Sequence, residues 1–240
     1  MTRDIEPELL DHLPVDDAGA VGSRRDLRRL NRLMGHTRIL VRRTRPVWTE
    51  DRRWRLAEIG AGDGTFLLSV LKRLKLPPGG ARVTFVDRLH LVSKETLEEC
   101  RRLGCEGVVE CADVFAWLET PRIERMDVIY ANLFLHHFPE PELRRLLEGV
   151  ARNTDQFIAC EPARTRFALR SSKLLGWIGC NAVTRHDAVA SVRSGFCGNE
   201  LSALWPGDSG WTLSEGRAGV FSHAFVAFRK ADEIHGMKRL

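Results

Sequence analysis

From Trp54 onward, the sequence alternates between short apolar runs and longer amphipathic stretches. Apolar runs of this length are typical of buried strands, and apolar positions spaced about 3.6 residues apart are typical of helices. The strands are expected near residues 55–60, 82–87, 107–112, 126–133 and 156–160. The helices between them are expected near residues 64–75, 91–103, 113–118 and 140–152. Strands that alternate with helices pack as βαβ units, so the pattern predicts an α/β fold with a parallel sheet.

The N-terminal part of the chain departs from this alternation. Residues 1 to about 22 have no sustained periodicity and are interrupted by prolines, so we expect a mobile or loosely packed lead-in. Ser23 is expected to cap a basic amphipathic helix that ends at Gly35. Residues 1–50 are therefore predicted to be an extension of one domain that spans residues 51–240.

The C-terminal third also departs from the alternation. Residues 165–205 are predicted to form a helical insertion, which together with the N-terminal helix would act as a lid. Residues 211–216 and 221–228 are then expected to form two closing strands that pair antiparallel, because they are close in sequence.

The composition excludes several classes of protein. Of the 240 residues, 43% are hydrophobic and 29% are charged, which is typical of a soluble globular domain. No apolar run approaches the ~20 residues of a membrane-spanning helix, and residues 1–6 do not resemble a secretory signal, so we expect a cytoplasmic protein. The six cysteines are scattered and are expected to be reduced thiols. No CxxC pair, HExxH motif or other metal-ligand spacing occurs, so we predict no metal.

Positive charge is concentrated in one segment of the chain. The net charge is +5, and twelve arginines lie between residues 24 and 55. A basic helix face of this kind binds an anionic membrane surface or nucleic acid, or it is simply solvated. We favour the solvated face, retain membrane-surface contact as a further prediction, and expect no nucleic-acid partner.

The sharpest local signal is the run Glu58-Ile59-Gly60-Ala61-Gly62-Asp63-Gly64, which joins a predicted strand to a predicted helix. Glycines at alternate positions permit a tight turn and let backbone N–H groups approach a ligand closely. The spacing is GxGxG, whereas the dinucleotide fingerprint is GxGxxG. A carboxylate at Glu58 would repel a pyrophosphate but suits a ligand with an ammonium and a sulfonium, and Asp63 favours the same ligand. S-adenosylmethionine (SAM) carries both groups; the alternative is a turn that serves packing alone.

Two further carboxylates follow predicted strands. Asp87 ends the second strand, where an acidic side chain can accept hydrogen bonds from both ribose hydroxyls of a nucleoside. Asp113 follows the third strand, where it can accept a hydrogen bond from an adenine amino group. The local sequence supports equally well a second role for Asp113, as the N-cap of the helix behind it.

The order of these motifs resembles that of the class I SAM-dependent methyltransferases. The resemblance is carried by the glycine run, by Phe85-Val86-Asp87-Arg88, by Ala112-Asp113-Val114 and by the segment from Asp127 to Phe138. Within that superfamily, Leu135-His136-His137-Phe138-Pro139-Glu140 is similar to the small-molecule branch, which includes ubiquinone- and menaquinone-biosynthesis and natural-product methyltransferases. The resemblance implies a Rossmann-like seven-stranded sheet of order 3-2-1-4-5-7-6, with helices on both faces and the last strand antiparallel.

The resemblance also implies a set of cofactor contacts. Gly60, Ala61, Gly62 and Gly64 would lie along the methionine part of SAM, with Glu58 and Asp63 nearby. The ribose would be bound at Asp87 and Arg88, the adenine at Asp113 and Val114, and the rest of the cofactor pocket would be lined by Asn132 and Leu133. The sequence departs from the family in residues 1–50 and 165–205, where the acceptor is normally selected.

The expected reaction is methyl transfer from SAM to an apolar small molecule such as a phenol, quinol or polyketide, most simply O-methylation by in-line displacement. His137 is the first candidate for a general base, because it follows the fourth strand at the ligand-binding edge of the sheet. His186 in the predicted lid is the second candidate. A hydrogen-bonded structural histidine is the alternative for both.

Two rival functions remain open at this stage. The arginine-rich segment raises an RNA methyltransferase, although the segment has few aromatic residues for base stacking and Ala131-Asn132-Leu133-Phe134 is not a [DN]PP[YF] motif. The other rival is a protein that binds SAM without catalysis, because a fold does not fix a function.

Overall fold

The computed structural model describes residues 1–49, 52–77, 80–121, 123–207 and 210–230. Seven strands of this part of the chain form one sheet of order β3-β2-β1-β4-β5-β7-β6, which confirms the predicted order. Strand β7 pairs antiparallel with both β5 and β6, and the other pairs are parallel. The strands are β1 (Trp54–Ile59), β2 (Ala81–Asp87), β3 (Cys105–Cys111), β4 (Met126–Asn132), β5 (Thr154–Pro162), β6 (Trp211–Arg217) and β7 (Ser222–Arg229).

Helices cover both faces of the sheet. Buried side chains of α2, α3 and α4 pack on one face, and those of α5, α6 and α9 pack on the other. The central strands are therefore buried on both sides, as expected for a parallel sheet. The helices are α1 (Ala18–Leu33), α2 (His36–Thr44), α3 (Thr65–Leu74), α4 (Lys94–Arg102), α5 (Val114–Glu119), α6 (Glu140–Asn153), α7 (Arg166–Ser172), α8 (Ala182–Ser194) and α9 (Glu200–Leu204).

The register of the sheet places three strand ends together. Ile59 of β1 pairs with Val86 of β2 on one side and with Ala131 of β4 on the other. The residues that follow these positions therefore lie at one edge of the sheet. This edge is formed by the carboxyl ends of parallel strands, where ligands bind in open α/β sheets.

The predicted start of the first helix is wrong. Helix α1 begins at Ala18, and the Asp17 carboxylate caps it by accepting hydrogen bonds from the N–H groups of Gly19 and Ala20. Ser23 lies inside the helix and is buried. Glycine has a low helix propensity, but Gly22 is accounted for by packing against the start of α8, because a Cβ there would lie 2.7 Å from the Asn181 side chain.

The predicted break between α1 and α2 is confirmed. Gly35 has a φ of 73° and separates the two helices, a conformation that glycine adopts without strain. All six cysteines are free in this structure, and their reduced state in the cell stays a prediction. Among the described helices, none has the length and hydropathy that crossing a membrane requires.

Candidate functional site

The glycine run forms a tight turn between β1 and α3. Gly60, Gly62 and Gly64 all have positive φ, at 65°, 54° and 72°. A Cβ at Gly60 would overlap the Phe134 ring, and one at Gly64 would lie 3.0 Å from the Phe85 ring. At Gly62 a Cβ would meet no described atom within 4 Å, so the turn faces open space at this residue. The turn can therefore bring its backbone against a ligand on the Gly62 side.

Glu58 lies at the end of β1 beneath this turn. Its side chain is buried, and Oε2 has no hydrogen-bond partner among the described residues. Burial, together with the negative charges of Asp63 and Asp87, raises the pKa of Glu58 well above its ordinary value. A buried carboxyl oxygen without a partner is unfavourable, and a cationic ligand at the turn would stabilise its charged form.

Asp87 joins the end of β2 to the turn. Its Oδ2 accepts a hydrogen bond of 2.8 Å from the Gly62 N–H, and its Oδ1 accepts one of 2.9 Å from the Leu89 N–H. The carboxylate is half-buried and keeps lone pairs that these backbone donors do not use. Arg88, the next residue, is exposed. The geometry thus fits the predicted ribose site at Asp87.

Asp113 is the N-cap of α5, the alternative role that its local sequence supported. Its Oδ1 accepts hydrogen bonds from the N–H groups of Phe115 at 2.8 Å and Ala116 at 3.3 Å. The residue is exposed, whereas Val114 is buried and packs in the same core as Val86. Capping uses only one of the two carboxylate oxygens of Asp113, so the other oxygen is still able to accept a hydrogen bond from an adenine. The adenine role of Asp113 and Val114 stays a prediction.

Asn132, the last residue of β4, is held by the N-terminal helices. Its Oδ1 lies 2.8 Å from Nδ1 of His36, and its Nδ2 donates a hydrogen bond of 3.1 Å to Oδ1 of Asn31. Nε2 of His36 lies 2.8 Å from the Ser222 hydroxyl. Burial lowers the pKa of His36 to about 4, so the imidazole is neutral at pH 7. His36 and Asn31 are site residues that the sequence analysis missed.

The backbone turns sharply after Asn132. Leu133 has a φ of 53°, which is uncommon for a residue other than glycine, and its N–H donates to the carbonyl of Cys160. Strained positions of this kind cluster at ligand sites. The turn also directs the Phe134 ring onto Gly60, so β4 and the glycine turn are in direct contact.

Helix α1 crosses the ligand edge of the sheet and contacts both the glycine turn after β1 and the last residue of β4. Arg28 forms an ion pair with Asp63 in the glycine turn, and Asn31, one helical turn later, bonds to Asn132. A cleft of about 290 Å³ lies beside this crossing, lined in part by Arg24 and Thr65. Helix α1 therefore contacts both the glycine turn and the end of β4, and the role of the N-terminal extension as part of a lid stays a prediction.

His136 is buried between two carboxylates. Its Nδ1 lies 2.7 Å from Oε2 of Glu161, and its Nε2 lies 3.2 Å from Oε1 of Glu8. Burial by itself lowers the pKa of His136, but the bonds to the two carboxylates outweigh it and raise the pKa to about 9. The imidazole is therefore charged at pH 7. Glu161 is the last residue but one of β5, at the ligand edge of the sheet, and the sequence analysis missed it.

The N-terminal residues that were expected to be mobile contact the β4–α6 connection. The Arg3 guanidinium donates to the carbonyls of Leu135, His136 and Phe138. Glu8 accepts hydrogen bonds from His136 and from the Ser191 hydroxyl. The contacts lie too far apart in sequence for local patterns to reveal them. The mobility of this segment stays a prediction.

His137 is more accessible than His136. Its side chain is 27% exposed, and Nδ1 lies 3.5 Å from a carboxylate oxygen of Asp11. Burial and the nearby charge of His136 lower the pKa of His137, so the imidazole is neutral at pH 7 and can accept a proton. Its position beyond β4 fits the predicted base.

His186 has a different environment. Its side chain is exposed, and its Nδ1 lies 3.0 Å from Oδ1 of Asp187. The Asp187 carboxylate also accepts hydrogen bonds from the N–H groups of Leu9 and Leu10. Among the described residues, His186 has no hydrogen bond to the glycine turn or to the end of β4.

One group of described residues has the geometry of a metal site. Glu8, His136 and His137 each offer a ligand atom, and these atoms lie within 4.8 Å of one another. A metal would need the lone pair of His136 Nε2, which the two carboxylates keep protonated at pH 7. The prediction of no metal stays a prediction.

The central segment of the chain matches a known protein family model. Residues 56–156, which contain the glycine turn, Asp87 and Asn132, match a family model described as a methyltransferase domain. A search of curated protein sequences found no match.

Solved structures share the fold over most of the chain. The plantazolicin methyltransferase BpumL in complex with SAH superposes with a TM-score of 0.60 and 15% identity, covering 90% of this chain and 92% of that one. Magnesium protoporphyrin IX methyltransferase from Synechocystis PCC 6803 with bound SAH superposes with a TM-score of 0.53 and 14% identity, covering 95% of this chain and 90% of that one. A provisionally assigned O-methyltransferase of Nostoc punctiforme PCC 73102 superposes with a TM-score of 0.55 and 15% identity. The superposition covers 82% of this chain but only 56% of that protein. At these identities the likeness establishes the fold.

Proposed function

We propose, from the match of residues 56–156 to a family model described as a methyltransferase domain, that the chain transfers a methyl group from SAM to an apolar small molecule. The proposed acceptor is aromatic, a phenol, quinol or polyketide-like compound, and the proposed reaction is O-methylation. The structural neighbours support a small-molecule acceptor, because their names include plantazolicin and magnesium protoporphyrin IX.

The observation that carries the cofactor proposal is the unpartnered Oε2 of Glu58 beneath the glycine turn. A nucleotide with a pyrophosphate would add negative charge beside three carboxyl groups, those of Glu58, Asp63 and Asp87. SAM would instead bring a sulfonium and an ammonium, which these groups attract. The residues present therefore fit SAM better than a dinucleotide.

Each residue of the proposed SAM site has a separate role. Gly60, Ala61, Gly62 and Gly64 would place backbone against the methionine part, and Asp87 with Arg88 would bind the ribose. Asp113 and Val114 would bind the adenine, and Asn132 and Leu133 would line the pocket near the reacting methyl group. SAM supplies an activated methyl group when bound, so the protein's main task is to align the acceptor oxygen with it.

The proposed acceptor pocket lies next to the helical insertion. Large apolar side chains of this segment are exposed, which is unusual for a soluble domain unless they contact a ligand or partner. They are Phe167 (58% exposed), Leu174 (58%), Trp177 (89%) and Ile178 (45%). Arg29 of α1 donates to the carbonyl of Ile178, so the insertion is linked to the helix that covers the SAM site. An apolar wall of this kind suits an aromatic acceptor.

His137 is the proposed general base, and His186 is the second candidate. A neutral His137 with Asp11 near Nδ1 keeps Nε2 available to accept the acceptor's proton. A location in the cytoplasm, a role in secondary metabolism or quinone or phenol biosynthesis, and membrane-surface contact by the N-terminal helix stay predictions.

The decisive experiment incubates the full chain with SAM and a panel of phenols, quinols, amines and RNA, and measures a methyl-sized mass gain. Methylation of a phenolic hydroxyl would support the proposal. Methylation of RNA alone would establish the nucleic-acid alternative, and SAM binding without turnover on any acceptor would favour a non-catalytic protein. Asp87→Ala is the matched control, because it removes the proposed ribose contact.

A further inference from the structure

A basic concavity lies on the surface between α2 and the last turn of α3, away from the site described above. It encloses about 490 Å³. Six of its seven lining residues are cationic, and the seventh is Val41. The cationic residues are Arg38, Arg42, Arg45, Lys72, Arg73 and Lys75. We call this feature the basic basin.

Most of the charge of the basic basin is uncompensated within the described part of the chain. Lys72 pairs with Glu99 at 2.6 Å, but the other five cations form no ion pair with a described residue. Outside the basin, Arg53 pairs with Glu106 at 2.6 Å, whereas Arg43 of α2 forms no ion pair with a described residue. The basin is distinguished by the five such cations that line one concavity.

Helix dipoles explain only part of this arrangement. Arg42 lies in the last turn of α2, and Lys72 and Arg73 lie in the last turn of α3, where cations are favourable. Arg38 lies in the first turn of α2, where the same dipole disfavours a cation. A structural role for the basic residues therefore does not account for the position of Arg38.

The spacing of the arginines indicates the ligand. One face of α2 and its C-cap presents three arginines at positions i, i+4 and i+7, namely Arg38, Arg42 and Arg45. A guanidinium group can donate two parallel hydrogen bonds to two oxygens of one phosphate, and a lysine ammonium attracts a phosphate as a compact positive charge. Among the described residues, the lining contains no aromatic side chain on which a base could stack. It also contains no exposed apolar residue to enter a bilayer, since Val41 is buried.

We propose that the basic basin binds a compact group that bears two or more phosphates. The site is distinct from the proposed SAM site, because Lys72 lies eight residues along α3 from Gly64, roughly 12 Å at 1.5 Å per residue. The phosphates belong either to a soluble molecule or to a polyphosphorylated lipid headgroup. The proposal does not depend on the proposed methyl transfer.

The test measures binding of inorganic tripolyphosphate to the full chain by calorimetry at constant ionic strength. We expect saturable binding that Arg38→Gln and Arg42→Gln each weaken about tenfold, because each removes a charge-assisted contact. Arg43→Gln is the matched control: it removes the same charge from the same helix, but Arg43 does not line the basin. We expect the control to retain affinity within about twofold.

Two results would overturn the proposal: no saturable binding to the wild-type chain, or an equal loss in Arg43→Gln, which would indicate net charge rather than a site. Sedimentation with vesicles that contain a bisphosphorylated inositol lipid distinguishes the sources. Vesicle binding that tripolyphosphate displaces assigns the site to a headgroup, and tripolyphosphate binding without vesicle binding assigns it to a soluble ligand. Unchanged SAM affinity in Arg42→Gln would confirm that the two sites are separate.

Discussion

The backbone N–H of Gly62 donates a hydrogen bond of 2.8 Å to Oδ2 of Asp87. This bond connects the glycine turn after β1 to the end of the adjacent strand. The Leu89 N–H fixes the second carboxylate oxygen at 2.9 Å. The Asp87 carboxylate is thus positioned by backbone donors before any ligand arrives, which lowers the entropic cost of binding a ribose.

We predict that Asp87→Ala weakens SAM binding about tenfold or more, because it removes the ribose acceptor and also the hydrogen bonds from the N–H groups of Gly62 and Leu89. Asp87→Asn should lose less, since its carbonyl oxygen still accepts one hydrogen bond. Isothermal titration calorimetry measures both. Equal SAM affinity in the wild type and Asp87→Ala would remove the ribose assignment.

We predict that SAM binding releases a proton from Glu58. Burial and the charges of Asp63 and Asp87 raise the pKa of the free site, and a bound cation lowers it again. SAM affinity should therefore rise with pH between the two pKa values. Calorimetry in two buffers of different ionisation enthalpy detects the released proton. Glu58→Gln should abolish this release, and an unchanged release in the variant would contradict the prediction.

We predict that the free energy of unfolding falls as the pH drops below 6.5, because His36 is buried and neutral. Its pKa is about 4 in the folded chain and 6.5 ordinarily, so the unfolded chain binds the proton more tightly. The stabilisation from neutral His36 is present above pH 6.5 and is lost as the pH falls toward 4. The free energy of unfolding should therefore fall by about 2 kcal/mol between pH 7.5 and 5. Urea unfolding at both pH values measures it.

Two variants test the assignment to His36. His36→Gln should reduce the acid-induced loss of stability, and His90→Gln is the matched control, since His90 is exposed. An identical loss in the wild type and His36→Gln would show that another group is responsible.

We predict that Glu161→Gln destabilises the chain by about 3 kcal/mol, because it leaves a buried charge on His136 with one partner fewer. The pKa of His136 is raised to about 9, so its stabilising contribution is present below pH 6.5 and is lost as the pH rises through about 9. Chemical denaturation at pH 6.5 and 9 should show this loss in the wild type and a smaller one in Glu161→Gln. Glu6→Gln, which removes the exposed ion pair with Arg193, should cost less than about 1 kcal/mol.

We predict that His137→Ala lowers the turnover of a phenolic acceptor by about 100-fold, the usual contribution of a general base. SAM affinity should stay within about twofold, because His137 is not in the proposed SAM site. Steady-state kinetics with calorimetry separates the two effects. His186→Ala is the comparison variant, and a larger loss of turnover in His186→Ala would reverse the order of the two candidates.

The sequence by itself determined the alternation of strands and helices and the position of the ligand edge, whereas the strand order was implied by the resemblance to class I methyltransferases. Apolar runs and helical periodicity are local, and residues such as Gly60, Gly62 and Asp87 reveal their roles through spacing because each lies at or shortly after the end of a strand. For the same reason, Asp113 was recognised as an N-cap candidate from three or four residues of context. The helix start at Ala18 was missed because packing of Gly22 against α8 overrides the low helix propensity of glycine.

Only the tertiary structure decided what surrounds that edge. Asn31 and His36 meet Asn132, and Glu8 meets His136, across more than ninety residues of sequence. Such pairs depend on how separate helices pack, and no periodicity in one segment encodes its partner in another. The charge states follow from the same packing, since burial makes His36 neutral while two carboxylates keep His136 charged.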